Sequence, residues 1–77
     1  MEHTIKTSTD LGIAIRKARH DRGLRLEDVA LGAGVGIRFI SELERGKPTA
    51  RLGETLRVIS ALGMTIDLGD PLGDQDS

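Results

Sequence analysis

Cysteine, tryptophan and tyrosine are absent from the 77 residues, and Phe39 is the only aromatic side chain. Without cysteine there is no disulfide framework and no thiolate metal site. Two histidines seventeen positions apart, His3 and His20, do not make a paired zinc ligand set. A stapled secreted mini-protein, thiol chemistry and metal-dependent hydrolysis are thereby excluded, and no cofactor or metal is implied. Apolar runs are short, Ile13-Ala14-Ile15 being among the longest, so nothing approaches the roughly 18 residues of a membrane span. The opening MEHTIKTSTD lacks the apolar stretch of a signal peptide, and the chain reads as cytoplasmic. The scarcity of rings also bears on nucleic acid, because most single-strand and RNA modules stack bases on several aromatics. Any nucleic-acid ligand is therefore expected to be duplex DNA.

A chain of 8.3 kDa supports one small domain, burying only about 60% of the surface its unfolded form exposes. Its net charge of −1 divides unevenly. Residues 1–63 hold all 11 Lys and Arg against eight acids, whereas the last 14 residues hold four acids and no base. A mildly basic body with an acidic tail is compatible with phosphate binding and equally with ordinary solvated charge.

Four segments carry helical periodicity. After Thr7-Ser8-Thr9-Asp10, where Thr7 or Ser8 can cap and Asp10 suits a first turn, Leu11, Ile15, Ala18 and Arg22 fall on one face, widened by Ile13 and Ala14. Gly23 ends this helix; Arg16, Lys17, Arg19 and Arg22 gather toward its negative end, where the helix dipole accounts for them. A short second segment, Leu26 to Leu31, starts with acids, and the glycine cluster from Gly32 to Gly36 reads as a tight interhelical turn outside any helix. It has neither the spacing nor the preceding strand of a phosphate loop. The third runs from Ile37 to Arg45 and stops at Gly46 and Pro48, with Ile40 and Leu43 inward and Arg38, Ser41, Glu42 and Arg45 outward. The fourth starts from a Thr49 cap and runs through Leu52, Leu56, Ile59 and Leu62 to Gly63, with Gly53 marking either a close approach or simple tolerance. Met64-Thr65-Ile66-Asp67-Leu68 then alternates with the period of a half-buried strand. One strand cannot satisfy its own backbone, and the only other extended candidate is the short piece from His3 to Lys6. Pairing with the same strand of a second copy is the economical solution. Ser41, Ser60, Asp28 and His20 lie on different helical faces and assemble no nucleophile with its base, so the chain is not expected to be an enzyme.

The second and third segments form the most specific pattern. Ala30 supplies a small residue where two helices cross and Gly34 a sharp backbone turn, while Val35, Ile40 and Leu43 supply the apolar offsets that bury a second helix. With Gly23-Leu24, Val29-Ala30 and the run from Phe39 to Pro48, residues 8–63 resemble the XRE family of lambda-repressor-like helix-turn-helix proteins. Three positions depart from the family pattern. Leu26 stands where many members carry a glutamine, Arg25 replaces the usual Thr or Ser cap of the second helix, and Gly36 replaces the Ser cap of the third. Closed by the run from Ala61 to Leu68, the chain is also similar to the HipB-type antitoxins, whose C-terminal strand pairs across a dimer.

The resemblance implies an all-α fold: a compact four-to-five-helix lambda-repressor-like domain with a short C-terminal β-strand pairing across a homodimer. Its parts are an N-terminal arm (1–7), the helix-turn-helix domain (8–63), a dimerising strand (64–68) and a flexible acidic tail (69–77). It implies a transcriptional repressor whose third helix enters the major groove of a palindromic operator in its own promoter. Gly36, Ile37, Arg38, Ser41 and Glu42 are then the candidates for base edges, with Arg38 able to fork onto guanine O6 and N7 for about 1 to 3 kcal/mol of discrimination. Ile37 is placed either against a thymine methyl or in the core, and Glu42 either on a cytosine amine or in a salt bridge with Arg38 or Arg45; Phe39 belongs to packing. Arg25, Arg45, Lys47 and Arg51 are the candidate phosphate contacts, and Met64, Thr65, Ile66, Asp67 and Leu68 the dimer contacts. The antitoxin resemblance adds a HipA-like kinase toxin as partner. A stand-alone repressor, or a module used mainly for protein interaction, is the alternative.

Overall fold

The computed structural model describes residues 3–70 and Leu72, and within them the chain forms four α-helices. These are α1 (Ser8–Asp21), α2 (Leu26–Ala33), α3 (Ile37–Glu44) and α4 (Leu52–Ala61). Helix α1 starts in a capping box: the Asp10 N–H donates to Thr7 Oγ1 at 3.0 Å, and the Thr7 N–H donates to Asp10 Oδ2 at 3.2 Å. At α2 only half of that arrangement exists. The Arg25 N–H donates to Asp28 Oδ2 at 2.8 Å, but a guanidinium has no acceptor to return the bond. Helix α4 starts later than the sequence suggests, with Arg51 rather than Thr49 at the cap, and Glu54 in its first turn pairs with Arg51 at 3.1 Å.

All four helices end alike. Gly23, Gly34, Gly46 and Gly63 have φ between 66° and 85°, and the residue after each donates its N–H to the carbonyl five positions back. These are Schellman endings, and a β-carbon at the left-handed position would strain them. Gly32, expected in the turn, is instead the penultimate residue of α2; the reversal needs only Gly34.

Helix α2 packs on α4 and α3, and α3 also packs on α1. Their shared core centres on the fully buried Ile15, Ile40 and Val58, surrounded by Ala18, Val29, Ala30, Ala33, Leu43, Ile59 and Leu62. Two expected core faces are corrected. Ile13 is 61% exposed while its neighbour Gly12 is buried, and Leu52 and Leu56 point outward while Thr55 and Val58 take the inner stripe of α4. Thr55 can be buried because its hydroxyl donates to Arg51 O at 2.7 Å, leaving its methyl to the core.

Gly12 is a close approach that the sequence reading missed. A β-carbon there would lie 2.6 Å from the carbonyl oxygens of Leu43 and Glu44, so α1 contacts the C-terminal end of α3 backbone to backbone. Gly53, by contrast, has nothing within 4 Å, which makes it tolerance rather than an approach. Beside the Gly12 contact, the Arg19 fork donates from Nε to Glu44 Oε2 at 2.6 Å and from Nη2 to Glu44 Oε1 at 2.9 Å, while Nη1 donates to Leu24 O at 3.0 Å. Both side chains are nearly buried, at 11% and 7% exposure. Hydrogen bonding to Glu44 raises the Arg19 pKa, outweighing burial, so the guanidinium stays charged.

The segment Met64–Leu68 does not form a strand within the chain. Its backbone leaves α4 through one bond, Met64 N–H to Ile59 O at 3.1 Å, and continues without regular secondary structure. His3 and Ile5 come to the same apolar groove as Met64, Thr65 and Ile66, yet no backbone bond joins the two stretches among the described residues. A ladder needs a partner backbone, and the described residues do not supply one. Of the expected arm and tail, residues 1–2, 71 and 73–77 lie outside the described residues.

Gly12→Ala is expected to lower stability by about 1 to 3 kcal/mol, because backbone at 2.6 Å cannot yield as a side-chain tip can. Gly53→Ala is expected to raise it by up to about 1 kcal/mol. Urea denaturation of both variants checks the contrast; equal stabilities would refute the close approach.

Candidate nucleic-acid interface

Helix α2, the left-handed Gly34 and helix α3 form a helix-turn-helix unit, with Gly36 extended at the start of α3. Arg57 of α4 braces its first helix by donating Nε–H to Ala33 O at 3.1 Å. Helix α3 buries Ile40 and Leu43, and Phe39 packs half-buried against the core as expected. The opposite face is free. Ile37 is 49% exposed and the Arg38 side chain 90% exposed, so Ile37 lies mostly outside the core.

Six of the expected DNA contacts fall into two groups on this surface. Arg38, Glu42, Lys47 and Arg51 line one open cleft of about 260 Å³ together with Phe39, Thr49 and Ala50, where the 47–51 connection folds back beside α3. Ser41 and Arg45 line a second, of about 280 Å³, with Arg16, Arg19, Leu26 and Glu44; there Arg45 donates to Ser41 Oγ at 3.0 Å. Arg16 is the cation that sequence reasoning assigned only to the helix dipole. Nothing in its local pattern distinguishes it, since only the packing of α1 on α3 brings it beside Arg45. Arg25 stands apart at the start of α2, 75% exposed, paired loosely with Glu27 at 3.7 Å and Asp28 at 3.8 Å. Met64 is half-buried, whereas Ile66 and Leu68 are 50% and 94% exposed. Among the described residues no cluster of three or more His, Asp or Glu could hold a metal ion, and no helix is long and apolar enough to cross a membrane.

A family model described as a helix-turn-helix domain matches residues 10–72. An HTH-type transcriptional regulator of Sinorhizobium fredii, y4mF, is 46% identical over 71 residues, covering 92% of this chain and 93% of its own. The chain belongs to the XRE-type helix-turn-helix transcriptional regulators. Another such regulator, DdrOP3 of Deinococcus deserti, is 36% identical over 68% of this chain and 40% of its own length. Among solved structures, HipB in complex with a 20mer designated O4 superposes with a TM-score of 0.84 over 91% of this chain and 99% of HipB, at 21% identity, a likeness of fold. The clp gene regulator ClgR of C. glutamicum gives a TM-score of 0.69 at 32% identity, covering 80% of each chain. The DNA-binding fold of this XRE-type regulator is thus the one described above.

The electrostatics of its outer face centre on Glu42. The carboxylate accepts from Lys47 Nζ at 3.0 Å through Oε1 and from Arg38 Nε at 3.3 Å through Oε2, which places Glu42 in a salt bridge, though with Lys47 and Arg38 rather than Arg45. The Lys47 hydrogen bond, more than the Arg38 contact, holds the Glu42 pKa below the usual carboxylate range. Asp21, on the far end of α1, is lowered in the same way by its bond to Lys17. A depressed folded pKa means that whatever these pairs contribute to stability is complete at neutral pH. It is lost only as the pH falls through the lowered values.

In an NMR titration the Glu42 carboxyl carbon of this regulator should therefore show a midpoint below that of an ordinary glutamate. Lys47→Ala should move that midpoint upward by more than Arg38→Ala does. An unshifted midpoint in the wild-type protein would refute the ion-paired geometry.

Proposed function

We propose that this protein is a dimeric, sequence-specific repressor that binds a palindromic operator in its own promoter, and that it serves as the antitoxin of a HipA-like kinase. The observation that carries the reading is the outward face of α3, where Arg38 stands 90% exposed on a helix otherwise anchored by Ile40 and Leu43. Arg38 takes guanine O6 and N7 as a fork, Ile37 meets a thymine methyl, and Gly36 lets the backbone approach the groove. Ser41 and Glu42 flank them. Arg45, Lys47, Arg51 and Arg25 contact phosphate and set the register, and Arg16 joins Arg45 on the α1 side.

One domain of this size offers few contacts, so two copies binding half-sites about one helical turn apart give the needed affinity. Met64, Thr65, Ile66, Asp67 and Leu68 pair with their counterparts across the two-fold axis. The exposure of Ile66 and Leu68 supports this, because such apolar side chains and open backbone groups call for a partner strand. The kinase partner is supported by the likeness of fold to HipB, of which a HipA–HipB–O2–O3 complex is known at a TM-score of 0.84 and 21% identity.

Fluorescence-anisotropy titration against the duplex immediately upstream of the reading frame, beside a scrambled duplex, tests the reading. Binding at least about a thousandfold tighter to the native duplex is expected. Arg38→Ala should cost that duplex roughly 5- to 150-fold while leaving the scrambled one nearly unchanged. Equal, steeply salt-dependent binding to both would refute sequence specificity.

A chain ending at Gly63 should retain its helix content by circular dichroism yet sediment as a monomer and lose specific binding. Tight operator binding by a truncated dimer would refute the strand pairing. Co-purification with the product of an adjacent kinase-like reading frame tests the antitoxin role, and absence of such a neighbour would leave a stand-alone repressor.

A further inference from the structure

Glu42 occupies an unusual place for an acid. It lies on the outer face of the helix proposed to enter the groove, one turn after Arg38, and each of its oxygens is already engaged by a different cation. The second of these cations comes from beyond the helix. Gly46 N–H bonds to Leu43 O at 3.0 Å and Lys47 N–H to Glu42 O at 3.1 Å, so the Schellman ending of α3 turns Lys47 back over Glu42. The carboxylate side chain is 24% exposed, whereas Lys47 is 45% and Arg38 90% exposed; the acid sits beneath and between the two cations.

We propose that Glu42 is a specificity-determining positioning residue that orients the Arg38 fork and restrains Arg38 and Lys47 from indiscriminate phosphate binding. The inference rests on the DNA-binding reading above. A phosphate on an arbitrary duplex has to draw Arg38 and Lys47 away from a carboxylate they already contact, and brings that carboxylate near its own charge. A guanine at the right position offers Arg38 two acceptors at once, more than the single Nε contact to Glu42 supplies. The acid therefore weakens the sequence-independent contribution more than the sequence-specific one, which is how a repulsive element produces discrimination. On this account Glu42 contacts no base.

The test uses the full chain, its upstream duplex and a scrambled duplex, each titrated at several salt concentrations. Glu42→Gln removes the charge at nearly constant shape. It should bind the scrambled duplex roughly three- to tenfold tighter at low salt, with the logarithmic salt dependence steeper by about 1 to 2. The ratio of native to scrambled affinity should fall correspondingly, with the melting temperature little changed. The Glu42→Gln, Lys47→Gln double variant should return the salt dependence toward the wild-type value, a rescue that a merely structural role would not produce. If Glu42→Gln instead leaves scrambled binding and salt dependence unchanged while losing affinity at one base pair, Glu42 reads a base and the proposal is overturned alone. If the wild-type protein binds neither duplex, the DNA-binding reading is overturned and this inference with it.

Discussion

The contact between α1 and the end of α3 is the constraint on which the rest of the molecule depends. At Gly12 the two backbones meet with no room for a methyl group, and the Arg19 fork clasps Glu44 beside that meeting point. A charge pair of this burial contributes little net stability against an apolar replacement, because both ions give up hydration to form it. Its value lies in geometry. Two parallel bonds and a third to Leu24 O fix α3, an eight-residue helix too short to be stable by itself, at one angle and height relative to α1. The direction of the outer face, with Ile37, Arg38, Ser41 and Glu42, follows from that clasp.

Around it the chain uses local devices at each boundary. A capping box starts α1, an aspartate accepts the first free N–H at α2, and four left-handed glycines end the helices with the same pair of backbone bonds. These devices let a chain with one phenylalanine and no larger ring hold four helices on a core of Ile, Val, Leu and Ala. Some of the surface cations are also answered by acids. Lys17, Arg25, Arg38, Lys47 and Arg51 each have an acidic neighbour within 4 Å, so these cations are partly neutralised where they stand. Exposed pairs of this kind add little stability. They do shape what the surface offers a polyanion, because each cation must exchange a carboxylate for a phosphate.

The reading of the sequence was good where the signal is local. A cap at Thr7 or Ser8 (the structure places it at Thr7), stops at Gly23, Gly46 and Gly63, and Ile40 with Leu43 as the buried edge of α3 all follow from short-range rules of backbone freedom and helical period. It failed where two phases of the same period compete. Leu52 and Leu56 continue the stripe of Ile59 and Leu62 but only the latter two are buried, and no rule of periodicity reveals that Val58 will join them or that Thr55 will satisfy its hydroxyl on Arg51 O and enter the core. It failed again at Gly12, which looks like any helical glycine until α3 is laid across it.

The sequence by itself determined the helix-turn-helix class, the order of the four helices and the residues that carry charge on the third. Each of these is written in spacing and in side-chain chemistry. Only the tertiary structure decided that Arg19 belongs to Glu44 rather than to the helix dipole, and that Arg16 stands beside Arg45. It also brings Lys47 to join Arg38 on Glu42. Those pairings join residues from different elements, or depend on how a chain reversal aims one side chain at another. Distance along the sequence carries no information about either. The segment from Met64 to Leu68 belongs to neither category, because its alternating pattern fits a strand while the described residues offer it no partner backbone.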